Sequence, residues 1–452
     1  MRPTLSDLPS KTHAVKSTAP SDVGRPHPDV PDREVRNLLV LVLYQIVMRT
    51  GWIFKTESVI MPAVLDMISG TAWLRGCLPV LNRFGQSVPP LLFSRQLKNM
   101  PHKKWALAFC TLGMSGSILA LAGMFLFHNS ITIAWMPGIF LLLYTMFFVF
   151  NGMNQLAFGT LQGKLVQATR RGLLLLASST IGAASGILCA WLLLRHWLRP
   201  DGGEFHLIFG FAAMCFAIAA STMLLLVEPA DNFRQAAFTV NQHFAAAWAV
   251  LRRDANFRRL AVVAMMFGTS MMLFPHYQPL ARERLDLRLD MLMWWVIVQN
   301  AGTALFSLMA GPLADWRGNR VVLRLVMLGI VCVPILAIAL AHAPAAGKSL
   351  YSLVFLAVGM TPVVLKTMNN YTLEICEPAD HPRYLSTLGL CAAAPLLFSP
   401  LVGLLVDVTN FETVFFGTSV LLLFGWLMTF SLTEPRHHVT TPSDAAVIGT
   451  DE

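Results

Sequence analysis

Acidic side chains are scarce in this chain, and none occurs between Asp66 and Asp201. Charged residues of both signs fill only 13% of the 452 positions, against roughly 25% in a soluble chain of ordinary composition. So few charges cannot dress a water-facing surface of this size. Cysteine supplies no framework either. Cys77, Cys110, Cys189, Cys215, Cys332, Cys376 and Cys391 are scattered, mostly within apolar runs, with no CxxC pair and no Cys/His spacing that would hold a metal. A free cysteine in such a run behaves as a small hydrophobe. Neither disulfides, nor a metal, nor any other cofactor is expected. Walker, HExxH and GxSxG motifs are missing, which leaves no recognisable nucleotide-hydrolysing or hydrolytic centre. The first 36 residues, rich in Pro, Ser and Asp, lack the apolar core of a signal peptide and read as a cytoplasmic tail.

The apolar content is high. Hydrophobic residues make up 55% of the chain and the mean hydropathy is +0.58. A membrane span needs roughly 20 apolar residues, and such segments recur at 38–62, 72–94, 105–127, 131–152, 172–194 and 206–227, then at 260–280, 291–314, 321–342, 349–372, 384–407 and 412–433. The stretch from Glu228 to Arg259 is the long polar interruption in the middle. The pattern predicts an all-α membrane protein with about twelve transmembrane helices in two six-helix bundles. The expected divisions are a tail at 1–36, a first bundle at 37–228, a central cytoplasmic loop at 229–258, a second bundle at 259–434 and a tail at 435–452.

The net charge of +9 and pI near 9.4 have two readings, nucleic acid or membrane orientation. Placement decides between them. Lys and Arg concentrate in every second connection, whereas the intervening ones hold only Arg195, Arg199, Arg282, Arg284, Arg288 and Lys348. That alternation is the positive-inside pattern. It puts both ends of the chain on the cytoplasmic side of the inner (plasma) membrane and leaves no role for nucleic acid.

Between the eighth and ninth segments stands Gly311-Pro312-Leu313-Ala314-Asp315-Trp316-Arg317-Gly318-Asn319-Arg320. This resembles the G-x-L-a-D-r-x-G-r-r loop of the major facilitator superfamily. The six-plus-six arrangement extends the resemblance over the whole chain. Gly311 would allow close helix packing, Gly318 a tight turn, and Asp315 would offer a carboxylate to basic partners. The corresponding loop of the first half, Leu92 to Lys104, keeps basic residues but has no acid. A weak repeat joins the halves: Asn154-Gln155-Leu156 precedes Thr169-Arg170-Arg171, and Asn370-Tyr371-Thr372 precedes His381-Pro382-Arg383. Gly182 and Gly186 have GxxxG spacing in the fifth segment, and close helix packing is the expected use.

Ionisable groups inside spans are candidates for a substrate or ion pathway. They are Arg49 and Glu57 in the first span, Arg83 beside Asn82 in the second, His276 in the seventh and Lys366 in the tenth. Asn154, Asn300 and Asn370 join them as polar groups on the fourth, eighth and tenth. The resemblance implies that spans one, four, seven and ten line a central cavity, and that Gly311, Asp315, Arg317, Gly318 and Arg320 form a gating motif. The basic excess favours an anionic cargo. The expected function is secondary active transport of a small solute by alternating access, with the lipid bilayer as surroundings and the oligomeric state left open, a monomer being plausible. The alternatives are a membrane-embedded enzyme, or a sensor or assembly protein on a transporter-like fold. Sparse acids argue against the enzyme.

Reporter fusions at Arg95, Arg253 and the C-terminus should report cytoplasm, and one at Arg284 the opposite side. A cytoplasmic signal at Arg284 would overturn the span count.

Overall fold

The computed structural model describes residues 33–127, 135–200, 202–230, 240–377 and 380–434. The tail expected at 435–452, nearly all of that at 1–36, and 231–239 of the central connection lie outside the described residues. The first half contains α1 (Glu34–Ile53), α2 (Ile60–Ile68), α3 (Ala72–Lys98), α4 (Lys103–Leu126), α5 (Met136–Leu165), α6 (Ala168–Trp197) and α7 (Phe205–Thr222). A two-residue hairpin, β1 (Leu198–Arg199) against β2 (Gly202–Gly203), turns α6 into α7. Then come α8 (Val240–Arg253), α9 (Ala255–Met272), α10 (Phe274–Leu285), α11 (Met291–Arg317), α12 (Asn319–Ala341), α13 (Pro344–Leu350), α14 (Ser352–Val358), α15 (Thr361–Ile375), α16 (His381–Ala393), α17 (Ser399–Val408) and α18 (Phe411–Met428). The face where α1 begins and α18 ends is called proximal here, the opposite one distal.

Hydrocarbon offers no hydrogen bonds, so a spanning backbone must satisfy itself, which a helix does. Ten helical segments among the described residues are long and apolar enough to cross a membrane. The first span (α1 with α2) and the second (α3) bring the total to about twelve. These two are the more polar ones, holding Arg49, Lys55, Arg75, Asn82 and Arg83.

Several spans differ from the unbroken rods expected. The seventh is divided at Leu273 into α9 and α10, the tenth at Gly359 and Met360 into α14 and α15, and the eleventh by a 3₁₀ turn at Ala394–Phe398. In each, a proline opens the new segment: Pro275, Pro362 or Pro395. Proline has no N–H, and a helix's first turn does not need one. The first span breaks at 54–59, ahead of Pro62 in the first turn of α2, and Thr56 Oγ1 donates to the Ile53 carbonyl at 2.6 Å. The fourth span runs to Leu165, well past the expected 152. The connection expected at 229–258 contains α8, whose Arg252 guanidinium lies 5.0 Å from the centre of the exposed Trp248 ring.

Equivalent helices of the two halves pack in equivalent ways. In the first half α3 meets α5 where Gly152 brings the Gly85 carbonyl to 2.6 Å from the place a Cβ would occupy. In the second, α11 meets the α14–α15 break, with Gly359 at 2.6 Å from the Gln299 carbonyl in the same sense and Gly302 against Leu356. Asn37 clasps Val227 with two hydrogen bonds, Nδ2 to its carbonyl at 2.9 Å and Oδ1 from its N–H at 3.1 Å. Asn256 Oδ1 likewise accepts from the Thr433 N–H at 3.0 Å. The buried Glu228 carboxylate accepts from the N–H groups of Lys103 at 3.0 Å and Lys104 at 2.8 Å, the open start of α4. Glu434 sits at the start of α12, 3.0 Å from the place of a Cβ on Gly318. The real repeat is therefore Leu226-Val227-Glu228-Pro229 with Leu432-Thr433-Glu434-Pro435. Pairing Asn154 with Asn370 is out of register: Lys164, which bonds Glu228, and Tyr371, which bonds the Thr433 carbonyl, occupy matching places.

The halves touch along α3 with α17, α2 with α10, and α6 with α11. At the distal end Asp407 of α17 receives the first two N–H groups of α3, Ala72 at 2.9 Å and Trp73 at 2.8 Å. Gly403 lies so close to the Ala72 carbonyl that any Cβ there would collide with backbone. Gly403→Leu should force α17 off α3, lowering thermal stability in detergent by about 1–3 kcal/mol as overpacking does. An unchanged unfolding midpoint would show that the contact is dispensable.

Candidate substrate cavity

The break after α1 places Lys55, Glu57 and Ser58 in the middle of the fold rather than on a helix. Lys55 is completely buried, and a buried ammonium needs a partner. It has one in Glu57 Oε1 at 2.8 Å. Its other neighbours are ring faces: Nζ lies 3.2 Å from the Trp52 centroid, 4.4 Å from Phe148 and 4.8 Å from Phe147. Such rings attract a cation through their negative faces. Asn82 Nδ2 donates to Glu57 Oε2, and Gln86 donates to Asn82 Oδ1. Both oxygens of Glu57 are thus answered.

Beside this pair lies a cavity of about 630 Å³, within the usual 300–1,000 Å³ of small-molecule sites. Gln45, Arg49 and Trp52 of α1 form one wall, with Thr56, Glu57 and Ser58 beyond them. Asn151, Asn154, Gln155 and Phe158 of α5 form another. The second half contributes Phe274, then Gln299, Asn300 and Thr303 of α11, then Pro362 and Leu365 of α15. Ser58 closes one end by donating to Gln299 across the halves at 2.6 Å. A smaller cavity of about 190 Å³ shares Glu57, Phe274 and Leu365 with the first, and runs on past Asn82, Arg83, Gln86 and Tyr144.

The expected residues fall into groups. Arg49, Glu57, Asn154 and Asn300 line the larger cavity; Glu57, Asn82 and Arg83 line the smaller. Asn154 and Asn300 have hydrogen-bonding commitments elsewhere. Asn154 Nδ2 donates to Tyr44 and to Thr111, both at 2.7 Å, and Asn300 Nδ2 to the Val296 carbonyl at 2.9 Å. His276 lines neither cavity; it is fully buried with its ring against Phe411. Lys366 and Asn370 are exposed and line neither, although they continue the helical stripe of Pro362 toward the proximal end. Of the loop motif, Gly318 has φ +86 and turns α11 into α12 as expected. Gly311 has nothing within 4 Å of a Cβ position, so it is not the packing glycine that the motif implied. Asp315 and Arg317 are exposed at the proximal end of α11, the Arg317 guanidinium 4.1 Å from the Trp316 ring centre, and Arg320 begins α12. Gly182 does pack closely, 3.1 Å from Arg49 Cβ, and helps fix that side chain.

Lys55, Ser58 and Tyr144 were missed by sequence reasoning. Nothing in the pattern of an unbroken first span set Lys55 apart as a caged group. The aromatic run Tyr144-Thr145-Met146-Phe147-Phe148 was the available signal for a cage.

The class is now defined: a membrane protein of two related helical bundles around an internal polar cavity. The family model described as Major Facilitator Superfamily matches residues 285–450. The match lies in the second bundle, so that part of the chain is similar to the superfamily, and the fold as a whole is shared with solved transporters. Among solved structures, a POT family transporter in complex with 5-aminolevulinic acid superposes with TM-score 0.66 at 13% identity, covering 88% of this chain and 97% of that one. The nucleoside transporter NupG gives 0.65 at 14%, covering 88% and 99%. A bacterial homologue of the human lysosomal transporter Spinster, inward-facing and unoccupied, gives 0.64 at 10%, covering 91% and 99%. No curated protein matches the chain in sequence.

Removing the Glu57 carboxylate should strand the caged Lys55 ammonium. Breaking a buried pair costs about 3–5 kcal/mol, so Glu57→Gln should lower the unfolding midpoint markedly. Glu57→Gln with Lys55→Met should recover most of the loss in a double-mutant cycle. Additive losses would show that the pair is not coupled.

Proposed function

We propose that the protein is a secondary active transporter of a small organic anion, working by alternating access between bundles 37–228 and 259–434. One observation carries the anionic reading. Glu57, the only carboxylate on either cavity wall among the described residues, is neutralised by Lys55 at 2.8 Å. Arg49 and Arg83 have no carboxylate partner among the described residues; Arg83 bonds only the Gly389 carbonyl, at 3.1 Å. Two guanidinium groups facing an enclosed space attract negative charge far more strongly than in water. The reading places the proximal face on the cytoplasmic side of the inner (plasma) membrane, with both termini there. A gradient drives the cycle.

Asp315, with Gly318, Arg317 and Arg320, serves switching between states rather than binding, since it lies at the end of α11 and not on a cavity wall. Asp315→Asn should slow net flux in reconstituted vesicles while cargo affinity changes little; normal flux would remove the gating role. Arg49→Gln should reduce uptake of organic anions at least tenfold, about 1.4 kcal/mol, and Lys366→Gln should slow it. Full uptake with Arg49 and Arg83 both replaced by Gln would refute the anionic reading.

A further inference from the structure

We infer that the smaller cavity seats one carboxylate of the cargo, while the larger one holds a flat, hydrogen-bonding body attached to it. This rests on the transport reading and narrows it to planar monocarboxylates.

The donors of the smaller cavity match one carboxylate. Asn82 Nδ2 and Gln86 Nε2 are already spent within the Glu57 chain. Two groups remain. Arg83 Nε has no hydrogen-bond partner, and the hydroxyl of Tyr144, a residue only 1% exposed, has only the Asn82 side chain close by. Both belong to residues that line this cavity. A guanidinium and a phenol suit the two oxygens of a carboxylate, each bond strengthened by charge. Much of the remaining wall is apolar, including Leu78, Met271, Pro275 and Leu396. An unbound arginine there has little else to satisfy it.

Size divides the cargo. The smaller cavity, about 190 Å³, takes a carboxylate and a few waters at roughly 30 Å³ each, but not a whole metabolite. Its passage to the larger cavity runs between Phe274, Leu365 and Glu57, which border both. An acid at that doorway would repel an incoming anion if its charge were free. Lys55 cancels it, which explains a fully buried lysine beside a site for anions. Beyond the doorway, Trp52, Phe158 and Phe274 offer ring faces, and Asn151, with an unpartnered Nδ2, offers an amide. A planar body with polar edges fits such walls. Arg49 then meets an acceptor on that body, in the wider of the two spaces.

The assignment also gives binding a mechanical consequence. Arg83 stands on α3, and its Nη2 donates to Gly389 of α16 in the other half. A carboxylate held by Arg83 therefore touches the seam between the bundles.

Matched acid and amide pairs test this on purified full-length protein in detergent: benzoate with benzamide, nicotinate with nicotinamide, and indole-3-carboxylate with its amide. Calorimetric titration should find at least one acid bound tenfold or more tighter than its amide. Arg83→Gln should bring that ratio to within about threefold of one while leaving the amide's affinity alone, and Tyr144→Phe should reduce it severalfold. Arg49→Gln should weaken acid and amide together. If Arg83→Gln does not fold, Tyr144→Phe decides, and an unchanged ratio there overturns the subsite. So does discrimination that survives Arg83→Gln, or is lost instead in Arg49→Gln, or is absent in the wild type for all three pairs. Vesicle uptake separates the two levels. An acid that binds through Arg83 but never crosses refutes the transport reading and leaves the subsite standing.

Discussion

A hydrocarbon layer supplies neither hydrogen bonds nor counterions, and everything distinctive in this molecule answers that constraint. Thr50, Thr111 and Ser117 donate to carbonyls one turn back on their own helices. The broken spans place their irregular backbone where protein or cavity surrounds it, the condition under which non-helical backbone is tolerated at membrane depth. Lys55 is the most demanding case. Three aromatic rings and one carboxylate enclose its ammonium. In doing so they fix the position and the effective charge of Glu57, and with it the character of the space beyond.

The two halves share a scaffold and divide the labour. Glycine contacts, the asparagine clasps at Val227 and Thr433, and the glutamates after the sixth and twelfth spans recur in matching places. The contact of α3 with α17 corresponds to that of α11 with α6, so the seam between the halves is itself built twice. The charges are not shared out in this way. Arg49, Lys55, Glu57 and Arg83 all come from the first half, whereas the second lines the larger cavity with Gln299, Asn300, Thr303 and apolar groups. The acid-bearing loop motif belongs to the second half alone. The cavity charges gather in one bundle and the loop motif in the other.

Much of this could be read from the sequence, because a bilayer leaves so few solutions. Span number and order follow from apolar length, and the polar residues on the early spans stood out against an uncharged background. Arg49, Glu57, Asn82 and Arg83 do lie on cavity walls. Depth along a span was harder to judge. The break at 54–59 has only Pro62 beyond it as a sign, so nothing in the pattern showed that Lys55 would be caged. Asn154 was placed at a helix end because apolar patterning stops at Phe150, although the helix continues to Leu165. His276 illustrates a different limit: polarity marks a residue as unusual, but only packing shows that Phe411 covers it. The Leu-x-Glu-Pro repeat was present in the sequence throughout. It was overlooked because it lies where each bundle ends rather than within a span.

Asp407 supplies the acceptors for the first N–H groups of α3, although 334 positions separate it from Trp73. An unfinished helix start normally recruits a neighbour in sequence. Here the first bundle leaves the ribosome with α3 uncapped, answered only by water or lipid headgroups, until the eleventh span has been made and has docked. Assembly of the first bundle is thus completed by a segment synthesised 334 positions later, and the two bundles are not separable in their biogenesis.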